Sequence, residues 1–86
     1  MAYDIIWHGK VKADLGSLTK KDASRIVARV KNHLIHDPAG LGKPLKGVFK
    51  GLFRYRVGAW RVIYAVDHTA HHLIILHVRH RKNVYR

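Results

Sequence analysis

The stretch FRYRVGAWRV, residues 53 to 62, decides the fold of this chain. Aromatic and β-branched residues alternate with arginines on both sides of Gly58, which is typical of a β-hairpin whose two-residue type II′ turn starts with glycine. Such a turn fixes the register and places Arg56 opposite Arg61. Because side chains alternate between the faces of a sheet, one face is predicted to be apolar and to form the core. Its residues are Phe53, Tyr55, Val57, Trp60, Val62, Tyr64 and Val66.

The opposite face of the hairpin is predicted to be basic, with Arg54, Arg56 and Arg61 on it. Two arginines directly across a strand pair repel each other by roughly 0.2 to 1 kcal/mol, so a sheet built for stability alone would carry an acid there. A solvated face, on which arginine stems cover Ile63 and Ile75, is one explanation. A face that binds the phosphates of a polyanion is the explanation we favour.

The last strand, LIILHVRH at residues 73 to 80, extends both faces if the sheet is continuous. Simple alternation predicts that one set joins the core and that the other lies on the basic face. The predicted core set is Ile74, Leu76 and Val78. The predicted basic-face set is Leu73, Ile75, His77 and Arg79, with Arg81 added if the strand runs on.

One strand and two helices are predicted before the hairpin. Residues 2 to 7 are rich in aromatic and β-branched residues and predict a strand, and residues 9 to 15 predict a short helix. A longer helix is predicted to begin at Thr19, whose hydroxyl can cap it. Its end is predicted at Asp37, because proline disfavours helical conformation in the residue before it.

A Gly- and Lys-rich connection, residues 39 to 51, joins this helix to the hairpin and contains a possible strand start at 45 to 49. The predicted order is therefore β-α-α-β-β-β. This is an α+β fold with two helices packed on one face of a small, mostly antiparallel sheet. Its length predicts a single domain that spans residues 1 to 86.

Charge is the strongest signal of function in the composition. Seventeen Lys and Arg against five Asp and no Glu give a formal net charge of +12, with eight histidines counted as neutral. Solubility requires a charge of only about 2 to 8, so a domain this basic is expected to bind a polyanion, either nucleic acid or an acidic protein.

Several other classes of protein are disfavoured. The chain has no cysteine, which excludes disulfides and thiolate metal sites and fits a reducing cytoplasm. His68, His71 and His72 cluster without a nearby Cys or Glu, so we expect neither a metal ion nor a cofactor. The N-terminus does not resemble a signal peptide, and no apolar run approaches the roughly 18 residues of a membrane span. We therefore expect a cytoplasmic protein with no membrane partner.

Three segments together resemble the RelE/ParE superfamily of toxins from bacterial type II toxin–antitoxin systems. They are GKPLKG (42 to 47), FRYRVGAWRVIY (53 to 64) and LHVRHRKNVYR (76 to 86). The resemblance covers nearly the whole chain and implies the same β-α-α-β-β-β fold. It also implies one of two activities: RelE-branch toxins are ribosome-dependent mRNA interferases, whereas ParE-branch toxins poison DNA gyrase without cutting nucleic acid.

The resemblance assigns site residues one by one. Arg54 occupies the place of a lysine that the RelE branch is suggested to use as general base. Arg56 and Arg61 match arginines of the hairpin. Arg81 matches the suggested general acid and charge stabiliser, and Tyr85 matches the tyrosine near the C-terminus.

Two departures from the RelE pattern affect the proton acceptor. Leu52 replaces a second lysine, and Arg54 stays protonated and is a poor base. A histidine is then the candidate base, since imidazole titrates near pH 6.5. The resemblance favours His80 and strand alternation favours His77, so both remain candidates. Further RNA-binding residues are expected at Lys43, Lys46, Lys50 and Arg79.

The sequence thus supports a first hypothesis, a metal-independent endoribonuclease toxin that cleaves ribosome-bound mRNA. A ParE-like gyrase inhibitor is the alternative, and Leu52 and Arg54 favour it because they remove the lysines of a cleaving enzyme. A plain nucleic-acid-binding module is a third reading. Both toxin readings imply an acidic antitoxin, encoded beside this gene, that covers or blocks the basic surface.

Overall fold

The structure, a computed structural model, describes residues 2 to 83. Its five strands are β1 (Asp4–Trp7), β2 (Lys43–Pro44), β3 (Phe53–Val57), β4 (Trp60–Asp67) and β5 (His72–His80). Its α-helices are α1 (Gly9–Gly16), α2 (Lys20–Asn32) and α3 (Pro38–Leu41). Short 3₁₀ turns cover Leu34–His36, Gly47–Phe49 and Arg81–Asn83. No helix in this described part is long and apolar enough to cross a membrane.

The strands form one mixed sheet in the order β1-β5-β4-β3-β2. β1 runs parallel to β5, and every other pairing is antiparallel. The core lies between the sheet and the two main helices, which contribute Val11 from α1 and Ile26 and Val30 from α2, all fully buried. The α+β fold with two helices on a largely antiparallel sheet is therefore confirmed.

The hairpin has the predicted register. Arg56 lies opposite Arg61, Val57 opposite Trp60, and the pairing continues to Phe53. Gly58 has a φ of 61°, the left-handed conformation that the first position of a type II′ turn requires. The predicted apolar face does form the core: Tyr55, Val57, Val62 and Tyr64 are buried, and Phe53, Trp60 and Val66 pack against them.

Simple alternation is wrong for the first half of β5. Leu73 and Ile75 were predicted on the basic face but are fully buried in the core, whereas Val78 is in the core as predicted. The reason is a β-bulge: Ile63 pairs with His77 and Tyr64 with Ile75, so Leu76 is an extra residue without a partner. A bulge shifts the side-chain phase by one residue, and only the part of β5 after it follows the predicted alternation.

The end of the long helix also differs from the sequence-based prediction. Thr19 caps α2 as predicted, with its Oγ1 accepting from Asp22 N at 3.2 Å, but α2 ends at Asn32 rather than at Asp37. Asp37 instead starts α3, because its side chain caps the helix and Pro38 occupies the first helical position, where no N–H is needed. The turn between the two helices buries Leu34 in the core.

The connection before the hairpin has no strand at residues 45 to 49. Gly47, at a φ of 65°, begins a 3₁₀ turn there, and the short strand lies earlier, at Lys43–Pro44. Pro44 has no N–H to donate, which keeps β2 to two residues at the edge of the sheet. β2 still matters for the site because Lys43 pairs with Arg54.

Candidate nucleic-acid interface

The face of the sheet that points away from the core carries two rows of directly paired residues, which we call the basic face. Directly opposed residues share a face of a sheet, so each row crosses the strands side by side. The first row is Arg56, Arg61 and Arg79, on β3, β4 and β5. The second row is Lys43, Arg54, Ile63 and His77, on β2, β3, β4 and β5. The predicted basic face therefore exists on the last four strands.

The arginines of the hairpin carry charge that no acidic side chain of residues 2 to 83 neutralises. β3 and β5 contain no acidic residue, and the acid of β4, Asp67, stands at its far end. Within residues 2 to 83, no carboxylate pairs with Arg54, Arg56 or Arg61. The Nε of Arg61 is buried and has no hydrogen-bond partner there. An unsatisfied buried donor is costly, and a phosphate oxygen would satisfy it.

A pocket of about 150 Å³ opens at the β2 side of this face, lined by Leu41, Lys43, Arg54 and Arg56. Three of its four lining side chains are cations. Cationic side chains that converge on a small cleft attract an anion and discriminate against neutral ligands. The pocket joins the two rows, since Arg56 belongs to the first row and Lys43 and Arg54 belong to the second.

The β5 side of the face is different, because an acid from α1 reaches it. Asp14 forms an ion pair with Arg79, with 3.1 Å between Asp14 Oδ2 and Arg79 Nη1. The same oxygen accepts from Val78 N at 3.3 Å. Arg79 Nη2 lies 3.4 Å from His77 Nδ1. Arg79, predicted as an RNA-binding residue, is thus the arginine of the first row whose charge is already partly neutralised.

His77 lies on the basic face as strand alternation predicts, and its environment favours the neutral ring. Burial lowers the pKa of His77 below its usual value, and the cations Arg79 and Lys10 lower it further. Asp14 acts in the opposite direction, and His8 adds a small lowering effect. A neutral imidazole near neutral pH has a lone pair that can accept a proton.

His80, the other candidate base, lies away from the basic face. It pairs with Trp60, whose ring it meets edge-on at a centroid distance of 5.2 Å. Its Nδ1 accepts from Lys82 N at 3.3 Å. The structure therefore brings His77, and not His80, together with the arginines.

The remaining predicted residues lie around the rim or outside the described part. β5 ends at His80, so Arg81 is not in the strand; it starts a 3₁₀ turn, is exposed, and donates its N–H to Ala59 O at 2.9 Å. Lys46 and Lys50 are exposed on the loop beyond β2 and belong to neither row. Tyr85 lies outside the described residues.

Sequence reasoning missed the contribution of α1. His8, Lys10 and Asp14 all act on His77, although none was a candidate. Periodicity predicts α1 but not its path along the edge of β5, so the sequence held no signal for this contact. Leu41, which lines the pocket, was missed because α3 was predicted as loop.

The histidines of the β4–β5 turn contact an aromatic side chain at the start of the chain. Tyr3 stacks on His71 at a centroid distance of 3.9 Å, and its hydroxyl lies 3.1 Å from His68 Nδ1. Across residues 2 to 83, no group of three or more His, Cys, Asp or Glu side chains is arranged to hold a metal ion. These rings therefore pack the β4–β5 turn against the start of β1.

Several known proteins are similar to this chain in sequence and in fold. A family model described as the ParE toxin of the type II toxin–antitoxin system parDE matches residues 5–85. The toxin RelE of Mycobacterium tuberculosis is 40% identical over 73 residues, which is 85% of this chain and 75% of that protein. The toxin RelG of the same organism is 30% identical over 86 residues, covering 100% and 99%. A chain in the crystal structure of the toxin–antitoxin complex RelBE2 from Mycobacterium tuberculosis matches with a TM-score of 0.89 at 28% identity, covering 94% of this chain and all of that one.

Proposed function

Because the chain belongs to the RelE/ParE family of toxins from type II toxin–antitoxin systems, we propose that this toxin is a metal-independent endoribonuclease that cleaves mRNA on the ribosome. The observation that carries this proposal is the row Arg56, Arg61 and Arg79, where cations stand side by side. Such a row destabilises the free sheet and becomes favourable when a phosphate lies across it. The 40% identity to a RelE toxin supports the RelE branch.

The chemistry proposed for this face is internal attack on the RNA backbone. A 2′-oxygen attacks the adjacent phosphorus in line, forms a P–O bond, and gives its proton to a base. The bond from phosphorus to the 5′-oxygen breaks, and that oxygen takes up a proton. The products are a 2′,3′-cyclic phosphate and a 5′-hydroxyl. Arg56 and Arg61 stabilise the extra charge on the phosphorane oxygens, an effect of about 3 to 4 kcal/mol for a well-placed donor.

We assign the base role to His77, since it shares its row with Arg54 and is held largely neutral. A guanidinium only donates, so Arg79 Nη2 faces the lone pair of His77 Nδ1. At 3.4 Å this contact is long, so a substrate 2′-hydroxyl can displace it, and the lone pair that it frees is the proton acceptor in this proposal. Arg54 cannot replace it, because its guanidinium stays protonated, and it binds phosphate instead.

The other predicted residues complete the proposal. Arg81 stabilises charge at the leaving oxygen, and Tyr85 stacks on a base. Lys43 lines the pocket at the β2 side of the basic face and binds an adjacent phosphate. Lys46 and Lys50 add a weaker, sequence-independent attraction from the rim.

The proposal also includes a cellular location and a protein partner. The whole chain, residues 1 to 86, acts as one toxin domain in the cytoplasm, where ribosomes are found. Its other partner is an acidic antitoxin, which suits the net charge of +12. The RelBE2 chain that this protein resembles was crystallised in a toxin–antitoxin complex, which supports such a partner.

A second function, inhibition of DNA gyrase, has one observation in its favour. Leu52 and Arg54 stand where a cleaving RelE toxin has lysines, and the matching family model is described as a ParE toxin. A binding protein needs the basic face but no base. In that case His77 would be dispensable and the arginines would not.

A cleavage assay in vitro tests the proposal. The purified chain is added to ribosomes that hold a defined mRNA, and the cut sites are read by primer extension. We expect cuts in the ribosome-bound region, products with a 2′,3′-cyclic phosphate, and no cuts with His77→Gln. A parallel gyrase supercoiling assay is the control. Intact mRNA together with inhibited gyrase would replace this function with the alternative.

A further inference from the structure

Asp14 connects α1 to the basic face by two hydrogen bonds that one of its carboxylate oxygens accepts. It accepts from the backbone N–H of Val78 at 3.3 Å and from Nη1 of Arg79 at 3.1 Å. The other amino group of that arginine, Nη2, lies 3.4 Å from His77 Nδ1. Side chains of Arg79 and Asp14 are 35% and 19% exposed, so water screens this pair less than it would a surface ion pair.

We propose that Asp14 is a positioning residue of this site, acting on His77 through Arg79. The inference rests on the proposed function for its effect on cleavage, whereas the contacts themselves need no substrate. An arginine side chain has many rotamers, and a carboxylate that binds one end of the guanidinium selects among them. Asp14 thereby fixes the nearest cation beside the lone pair of His77.

A purely structural role for Asp14 would need only the hydrogen bond to Val78 N, whereas Asp14 also binds Arg79. β1 stops where Trp7 pairs with Ile75, so the N–H of Val78 needs a partner beyond the end of that strand. A cap on this N–H alone would stabilise the edge of β5. The carboxylate also reaches the arginine that faces the imidazole, and this second bond places a charge in the site.

The charges around His77 set the sign of the expected effect. Arg79 on β5, Lys10 on α1 and His8 at the start of α1 disfavour the protonated ring, and Asp14 favours it. Asp14 therefore has two opposite influences: its own charge attracts a proton to His77, and its hold on Arg79 repels one. The two can be separated by removing each partner in turn.

A double-mutant cycle read by NMR tests the proposal. The His77 pKa is measured in the full chain and in Asp14→Asn, Arg79→Gln and the double variant, with the His77 signal assigned from His77→Gln. Without Arg79, Asp14→Asn removes only the direct attraction, so the pKa falls. With Arg79 present, the same change also releases the arginine, so the pKa falls less or rises. We expect the two changes in the His77 pKa to differ by about 0.5 pH units or more.

Equal changes in both backgrounds would overturn the proposal, because Asp14 would then act on His77 directly and not through Arg79. Asp22→Asn, the same substitution on α2, is the matched control and should leave the His77 pKa unchanged. Arg79→Lys provides a second measurement in case Asp14→Asn does not fold. A compact ammonium cannot bridge Asp14 and His77 at once, so we expect the His77 pKa to rise toward its value in Arg79→Gln.

Cleavage by the same variants separates this inference from the function on which it rests. If the unmodified chain does not cut mRNA, the proposed function fails, and the NMR cycle still decides the role of Asp14. If it cuts, the acid side of its pH–rate profile should move with the measured His77 pKa in every variant. An acid side that stays in place in Arg79→Gln would contradict the link to catalysis.

Discussion

Arg56 and Arg61 lie directly opposite each other on β3 and β4, and no carboxylate within residues 2 to 83 pairs with either. This pairing costs the sheet stability, yet the turn at Gly58 and the buried side chains on the other face hold it in place. Here the fold tolerates a local repulsion between two cations that an anionic ligand would relieve. The predictions below follow from this arrangement.

Removal of Arg61 should lower the cleavage rate strongly without harming the fold. We expect Arg61→Ala to lower the cleavage rate by about 10²- to 10³-fold, because one donor to the phosphorane oxygens is lost. Its melting temperature should not fall, since the repulsion with Arg56 is also lost. Single-turnover cleavage and calorimetry measure the two effects. The control, Lys21→Ala, removes the same charge from the exposed side of α2 and should change neither the cleavage rate nor the melting temperature. Full activity in Arg61→Ala would contradict the account.

Salt dependence should distinguish free arginines from the paired one. Each phosphate contact to single-stranded nucleic acid contributes about 0.7 to the slope of log K against log salt. Arg56→Gln should therefore reduce the slope for single-stranded RNA by about 0.7. Arg79→Gln should reduce it much less, because Asp14 already neutralises part of that charge. Titrations at several salt concentrations measure both slopes, and equal reductions would show that the ion pair does not shield Arg79.

Cleavage should respond to pH through His77. Its pKa is lowered below the usual 6.5, mainly by burial, so the ring stays neutral as the pH falls to that value. The rate should thus be flat near neutral pH and should decline only below about pH 6.5, where His77 becomes protonated. His80→Gln, the matched control, should keep this decline. A His80→Gln variant that lost it would make His80 the base.

The lowered pKa of His77 also makes the stability of the fold depend on pH, and linkage gives the sign of that dependence. The unfolded chain binds a proton at His77 more readily than the folded chain does, because the folded pKa is the lower one. The stabilising contribution is complete above the unfolded pKa and declines as the pH falls below it. In urea unfolding at several pH values, His77→Gln should flatten the decline just below about pH 6.5. An unchanged decline would contradict the lowered pKa.

Gly42 should be sensitive to any added side chain. A Cβ there would overlap the hydroxyl of Tyr64, which is fully buried and donates to Pro38 O at 2.6 Å. We expect Gly42→Ala to destabilise the fold by about 1 to 3 kcal/mol, since the overlap displaces the hydroxyl and leaves a buried carbonyl unpaired. Urea unfolding measures the loss. Gly9→Ala, where a Cβ meets nothing within 4 Å, is the control and should be close to neutral.

The fold could be predicted from the sequence where short-range rules determine it. The Gly58 turn set the hairpin register, the Thr19 hydroxyl identified the start of α2, and alternation identified the core face of β3 and β4. The bulge at Leu76 could not be predicted, because an apolar run such as LIIL fits the core with either phase. The end of α2 was misplaced for a related reason: Asp37 and Pro38 stop one helix or start another equally well.

The candidate site was predictable in its strands and not in its surroundings. Arg54, Arg56, Arg61 and His77 follow from register and alternation alone. The ion pair between Asp14 and Arg79 joins residues far apart in the sequence, and its existence depends on how α1 packs along β5. A pattern within one segment carries no information about that packing. The sequence kept both His77 and His80 as candidate bases because the family resemblance favours His80 and alternation favours His77, whereas their positions on the sheet favour His77.

The most direct test of the central claim is to map transcript 5′ ends within minutes of inducing this toxin in cells that lack its antitoxin. If the basic face cleaves ribosome-bound mRNA, new ends appear inside translated codons with the unmodified chain and are absent with Arg61→Ala. Growth arrest with intact transcripts and with gyrase–DNA cleavage complexes would contradict the ribonuclease and establish the gyrase alternative. Normal growth with intact transcripts would contradict both toxin mechanisms.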